Sequence, residues 1–594
     1  MVGGMRTAAR LGCCVLWMIV AACGPSGRGD DFGDDDDGSG SGHGSGNGDG
    51  CSSDLHNVVD ANGNVISTCA DDQGCANGAC VDACAAAAAS QGSVGCDFTV
   101  ATPSFYSTIA PPCFAVFLAN NWPKDAVVTI TRGGQTYDAA TYGRVPNGTA
   151  STASWPTIPT SGIASSNVGV VFLGSDPTSS NGGTPTTCPV TPAVYTTGGS
   201  AVWTGSDAAT GIGTAFHITT SFPVSAYDIQ PYGGATSFLP SAELLLPTSA
   251  WGTNYVTAGP TQTQGAGWGQ IVASTDNTTV QLTPKVSLPG GTGVPAAGAN
   301  ATTSYTLNAG QYVQWQNAGD MAGSVIQSNN PVSFTAGTTY LCLSSQTSSG
   351  GGCDSGHQLI PPVSALGSEY VAPPYATRRA DLQPESIKYR LVGAADGTSL
   401  TYDPAVPGAP ATINVGQVVE FEAASAFTIN SQDAMHPLYV GQYMSGCQVT
   451  SGTRPGDNPI SGIPCLGDEE YVNILPPAQW LSSYVFFTDP TYTTTNLVVV
   501  RKNNGSGFQD VTIDCLGVIG GWQPVASGGQ YEITNVDMQR LNPVGTCTNG
   551  RHTATSGGAF NVMVWGLANF ASYAYPAGGN VGKINPVVVI GKHS

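Results

Sequence analysis

Residues that could do acid–base or metal chemistry are few and scattered in this chain of 594 residues. Asp468-Glu469-Glu470 sets three carboxylates in a row. Paired carboxylates can serve as general acid and base. Neighbours along a strand, however, point to opposite faces, so the run reads as a solvated strand edge. The seven histidines stand singly. His217, between Phe216 and Ile218, reads as an ordinary strand residue, and His357 and His436 fall at unit junctions without a ligand set. Asp60-Ala61-Asn62-Gly63-Asn64 resembles the start of a calcium loop. Val65 stands where that loop needs Gly, and Asp71 where it needs Glu, so the stretch reads as a turn. The phosphate-loop, HExxH and GxSxG patterns are absent from the sequence. No catalytic, cofactor-binding or metal-ligating residue is assigned, and no cofactor is expected.

Cysteines carry the clearer signal. Cys51, Cys69, Cys75, Cys80, Cys84 and Cys96 form an even set in a short stretch. In an exported chain this reads as three disulfides of open connectivity. The spacing lacks the paired C-x₂-C hooks of a zinc site. Further on, Cys342 and Cys353 lie between one Pro-led strand and the next Leu/Ile-Pro motif, and Cys447 and Cys465 hold the same place one unit later. Local pairing is expected for both. Cys113 with Cys188 and Cys515 with Cys547 are the pairs that remain.

These residues must be positioned by a repeat. The chain writes one motif three times: Leu246-Pro247…Trp251-Gly252-Thr253-Asn254-Tyr255-Val256, Ile360-Pro361-Pro362…Leu366-Gly367-Ser368-Glu369-Tyr370-Val371, and Leu475-Pro476-Pro477…Trp480-Leu481-Ser482-Ser483-Tyr484-Val485. The tyrosines recur at about 115 residues, the length of a small domain. A hairpin is expected after each Tyr, turning at Asp276-Asn277, Asp396-Gly397 and Asn504-Gly505, with Gly133-Gly134 in the first unit. A Gly-Gln step follows (Gly310-Gln311, Gly416-Gln417, Gly529-Gln530), opening a strand with one buried and one wet face. Next comes a strand led by Pro223, Pro331 or Pro437, since Pro suits a strand's first residue.

The reading is all-β: tandem antiparallel sandwich-like repeats, with propeller-like packing of the same strands as the alternative. The expected boundaries are 97–243, 244–357, 358–472 and 473–594 for the repeats. A Cys-rich segment (51–96) with a short helix at Ala83–Ser90, a Gly/Ser/Asp tether (23–50) and a signal peptide (1–22) precede them. The first unit carries a Ser/Thr/Gly/Pro-rich insertion, about Tyr142 to Ser200, read as a surface loop where binding could reside.

Charged residues make up only 10 %, while Gly (79) and Pro (40) abound, as befits short strands and many turns. The net charge of −21 argues against nucleic-acid partners, which need clustered Lys and Arg. At the start, Arg6 and Arg10 precede a short apolar run, Leu11 to Val20, too short to span a bilayer. Val20-Ala21-Ala22-Cys23 resembles the lipobox of bacterial lipoproteins, which makes Cys23 the expected lipid site. The tether, with Asp30, Asp31 and Asp34 to Asp37, is too polar to fold alone and would lift the body off a membrane.

The repeated Pro…Tyr-Val motif, the Gly-Gln and Pro-Val strands, and Trp565-Gly566…Ser572-Tyr573-Ala574-Tyr575-Pro576 together resemble the IgGFc-binding protein N-terminal domain family, in its bacterial lipoprotein form. The resemblance spans roughly 97–580 and brings no catalytic motif. The tether, the tandem β units and the absent catalytic signatures point to a non-enzymatic, lipid-anchored binding or adhesion scaffold at the outer membrane surface, engaging a protein or glycan. A carboxylate-based polysaccharide hydrolase and a structural envelope spacer are the competing readings.

Overall fold

The computed structural model describes residues 49–591, apart from 107, 150, 196–209, 233–236, 238, 317–318 and 453–464. The signal peptide, Cys23 and nearly all of the tether lie outside the described residues. Among the described residues no helix is long and apolar enough to cross a membrane.

The Cys-rich segment forms two small sheets and one helix, Ala83–Ser90, whose start is capped by Asp82 accepting from the Cys84 and Ala85 amides. Its disulfides join Cys51–Cys75, Cys69–Cys80 and Cys84–Cys96. Asp60 accepts from the Asn62 and Asn64 amides, closing a turn. The segment lies on the body through Trp122, whose indole sits 4.4 Å from the His56 ring.

Beyond it the chain is nearly all antiparallel β. The second repeat shows the plan. One long strand, Val325–Leu341, serves two half-sheets. Its first part pairs with Gly252–Val256 and Thr278–Thr283, its second with Gly267–Ala273 and Asp354–Leu359. The two halves enclose Val313, Trp315, Ile326 and Phe334, all fully buried. Phe216–Gln230 and Gly550–Ala568 play the same part in the first and fourth repeats. In the third the strand is split into Phe427–Ser431 and Leu438–Met444.

This plan corrects several sequence readings. The turns at Asp276-Asn277, Asp396-Gly397 and Asn504-Gly505 do not close hairpins, because the strands on either side pair with the long strand and not with each other. Only Gly133-Gly134 closes a true hairpin, Val128–Arg132 with Gln135–Asp138. Pro223 and Pro331 lie inside their strands, where the chain passes from one half-sheet to the other and a proline without an N–H removes no needed bond. The strand after Gly310-Gln311 is buried on both faces: Trp315 points into its own core, and Tyr312 joins apolar residues shared with the first repeat. The first-repeat insertion is more than a surface loop. Its segment Val168–Ser175 is a fully buried strand paired with Phe114–Asn120, and Cys188 is bonded to Cys113.

The repeats close into a ring. Each contributes one innermost strand: Ser241–Leu245, Asp354–Leu359, Glu470–Asn473 and Ala571–Pro576. Each is hydrogen-bonded on one side only, to its own sheet, and packs beside the next, the last against the first. The sandwich-like units are thus arranged as in a propeller.

The repeated motif fastens neighbours. A 3₁₀ turn follows Pro247, Pro362 and Pro476. A β-carbon on Gly95, Gly252 or Gly367 would overlap the ring of Pro247, Pro362 or Pro476, so each motif presses on a glycine of the preceding sheet, Gly95 lying in the strand Val94–Val100 that runs from the Cys-rich segment into the first sheet. Trp251 and Trp480 donate their indole N–H to Leu246 O and Leu475 O. Tyr255 OH accepts from Gly252 N (3.0 Å) and donates to Val332 O (2.6 Å). Tyr370 bridges Gly367 N and Leu438 O, and Tyr484 bridges Leu481 N and Phe560 O, in the same way. Register shifts lie beside two of these bridges, and the hydroxyl fills the ladder bond that the backbone leaves open.

Candidate functional site

Four inner strands with free edges meeting at an axis pose a problem: their backbone N–H and C=O groups lack ladder partners and water alike. Side chains solve it. Gln358 donates to Ala242 O (2.9 Å) and accepts from Asn473 N, while Asn473 donates to Leu359 O (2.8 Å). Carboxylates take N–H groups: Asp354 accepts from Ser572 N (3.1 Å) and Glu470 from Tyr471 N (2.8 Å).

The result is a buried acidic core. Asp228, Glu243, Asp354, Asp468, Glu469 and Glu470 are each at most 3 % exposed. This corrects the reading of Asp468-Glu469-Glu470 as a solvated edge. Ring closure covers it, with Asp468 accepting from Cys353 N (2.7 Å), Glu469 from Leu343 N (2.7 Å) and Glu470 from Tyr471 N (2.8 Å) and Ser241 Oγ (3.1 Å). Burial pushes Asp354 and Glu470 well above the usual carboxylate range, and for Asp354 the charges of Asp468, Glu469 and Glu470 add to it. Burial, then the hydrogen bond and charge of Asp468, push Glu469 up to about 10.

His357, read as an isolated junction histidine, is also in this core. Its Nε2 lies 2.9 Å from Asp228 Oδ1, and it is 2 % exposed. One donor atom from each of Asp228, Glu243 and His357 lies within 4.8 Å of the others. A second trio, Asp514, Cys515 and His552, contains a disulfide cysteine and lacks its thiolate. Sequence reasoning missed Asp228 and Glu243. The available signal was an acid embedded among apolar strand residues, in Ala226-Tyr227-Asp228-Ile229 and Ala242-Glu243-Leu244.

Two of the openings among the described residues bear on function. A polar cleft of about 560 Å³ lies where the first repeat meets the second. There His217 Nε2 stands 2.8 Å from Asp97 Oδ2, and Thr248 donates to Asp97 Oδ1. Asp97 is the only acid among the described lining residues, and no second carboxylate faces it. The larger groove, about 780 Å³, runs between the third and fourth repeats. Its walls are mostly apolar: Pro374, Pro384, Pro404, Ala426, Pro524 and Ile533, with Leu382, 61 % exposed, on the rim. Its two acids are engaged. Glu385 is forked by the buried Arg378 guanidinium at 2.7 Å, and Asp403 accepts from the Ser527 amide and hydroxyl. A groove with mostly apolar walls and its carboxylates already bonded suits apolar side chains more than a polyhydroxylated sugar.

The remaining cysteines are joined Cys342–Cys353, Cys447–Cys465 and Cys515–Cys547. Cys342–Cys353 brings the Cys353 amide to Asp468, and Cys447 N bonds Gly351 O, so two of these staples hold loops over the acidic core.

The family model described as IgGFc binding protein matches residues 241–566, from the first inner strand into the last long strand. The human IgGFc-binding protein is 26 % identical over 351 residues, which cover 58 % of this chain and 6 % of the human one. The chain thus spans only a small part of that relative. With the matched region taking in more than half of the sequence and three of the four inner strands, the chain belongs to the IgGFc-binding protein family.

Proposed function

We propose that this chain is a lipid-anchored surface scaffold that binds a protein partner by taking an apolar segment into the groove between its third and fourth repeats. The groove carries the reading: it is open, mostly apolar, and its two carboxylates are already bonded. The family name points the same way, since the human relative is named for binding the Fc part of IgG. Cys23 supplies the anchor and the tether the reach, with the outer membrane surface as the address. The polar cleft beside His217 is the place for the glycan reading.

The test uses the folded chain as bait for a displayed peptide library and a glycan array, with Ala526→Arg and Leu382→Asp as groove variants. Apolar peptides that bind the parent and lose binding in both variants support the reading. Peptides unaffected by either variant, or glycan capture alone, overturn it. For the anchor, a Cys23→Ser chain should lose metabolic lipid label, and equal labelling of both chains refutes it.

A further inference from the structure

Asp228 and Glu243 face each other directly across an antiparallel pair. Opposed positions bring side chains together on one face of a sheet, and like charges there repel. The two carboxylates are 0 % and 3 % exposed, so water cannot screen them. Their ring neighbour is His357, on the inner strand of the next repeat, with Nε2 at 2.9 Å from Asp228. Two of their oxygens, Asp228 Oδ2 and Glu243 Oε2, receive no N–H or O–H from any other residue, and the two carboxyl groups lie close enough to bond each other. A further, neutral group points to the same deficit. Gln230 lies two residues on from Asp228, on the same face, opposite Ser241, and is 1 % exposed. Neither its amide oxygen nor its amide nitrogen has a partner. Buried polar atoms are nearly always bonded, and one without a partner calls for a missing ligand or water.

We infer that Asp228, Glu243 and His357 bind one divalent first-row transition ion, of the zinc class, with the Gln230 amide oxygen beside it. The donor set selects the ion. Calcium and magnesium take oxygen ligands, whereas an imidazole nitrogen with carboxylates suits zinc, manganese or iron. Tetrahedral zinc at about 2.1 Å from each ligand needs donors about 3.4 Å apart, and the three present lie within 4.8 Å, so a small contraction completes the site. Two carboxylates match the charge of the ion. The role is structural: with ligands at most 3 % exposed, no substrate reaches it. Asp228 and Glu243 come from the first repeat and His357 from the second, so the ion clamps one ring junction.

Purified full-length chain, expressed with zinc, manganese and iron supplied, is dialysed against EDTA and measured by elemental analysis and native mass spectrometry. One retained ion per chain is expected, lost in Glu243→Gln and His357→Gln but kept in Asp514→Asn. Because either core variant could fail to fold, wild-type protein is also refolded with cobalt. Visible d–d bands and an imidazole shell in X-ray absorption support the site. Folded wild type without bound metal, refolding equally with and without zinc, refutes it and leaves a proton-sharing polar core. Retention of the ion by both core variants also refutes it.

Discussion

Tyr370→Phe removes one oxygen and tests how the repeats are locked. The hydroxyl is buried, accepts from Gly367 N at 2.9 Å and donates to Leu438 O at 2.5 Å. Phe keeps the ring and its packing. What changes is that a buried N–H and a buried C=O lose their partner at once, at about 1–3 kcal/mol for each group left unsatisfied. Partial closing of the strand offsets some of this, so a loss of about 2–4 kcal/mol is expected. The molecule contains its own comparison. In the first repeat Phe98 stands three residues after Gly95, as Tyr255 does after Gly252, so one junction already carries a ring without a hydroxyl. Urea unfolding measures the loss, and amide exchange at Gly367 localises it. A loss below about 0.5 kcal/mol, with unchanged protection at Gly367, would show that the backbone closes its own ladder and that the tyrosine is only a packed ring.

Two further outcomes follow from the same contacts. Glu469 has its folded-state value raised to about 10. Its contribution is greatest below its unfolded value near 4.5 and is lost as pH climbs through the folded value. Stability should fall with pH across the neutral range by up to about 1.4 kcal/mol per unit for this proton, and Glu469→Gln should flatten the slope. An unchanged slope from denaturant titrations at several pH values would refute the assignment. Asn585 reaches back from the C-terminal run to donate to Val363 O and Leu366 O in the third repeat, while Val589 and Asn254 exchange two bonds on the second. Asn585→Ala should cost about 2 kcal/mol and open the last residues to limited proteolysis, and a tail that stays resistant would show that it is held elsewhere.

Much of the architecture was legible in local sequence. Period-two patterning, turn residues and the low charge sufficed for an all-β chain, because alternation and turn chemistry act over a few residues. The Pro…Tyr motif marked real structural elements, since a proline, a glycine and a tyrosine at fixed spacing build the same lock each time. Pairing was not legible. Asp276-Asn277 looks like a hairpin turn, and only the presence of Val325–Leu341 between its two strands shows otherwise. Nor was the axial core, which no repeat possesses alone. Glu470 is an edge residue in its own sheet and becomes buried when Ser241–Leu245 and Ala571–Pro576 close the ring around it. Asp228 and His357 are 129 residues apart, and nothing in either neighbourhood encodes their contact. Local sequence set the strands and their locks; burial of charge, which depends on what every other strand covers, was decided by the tertiary structure.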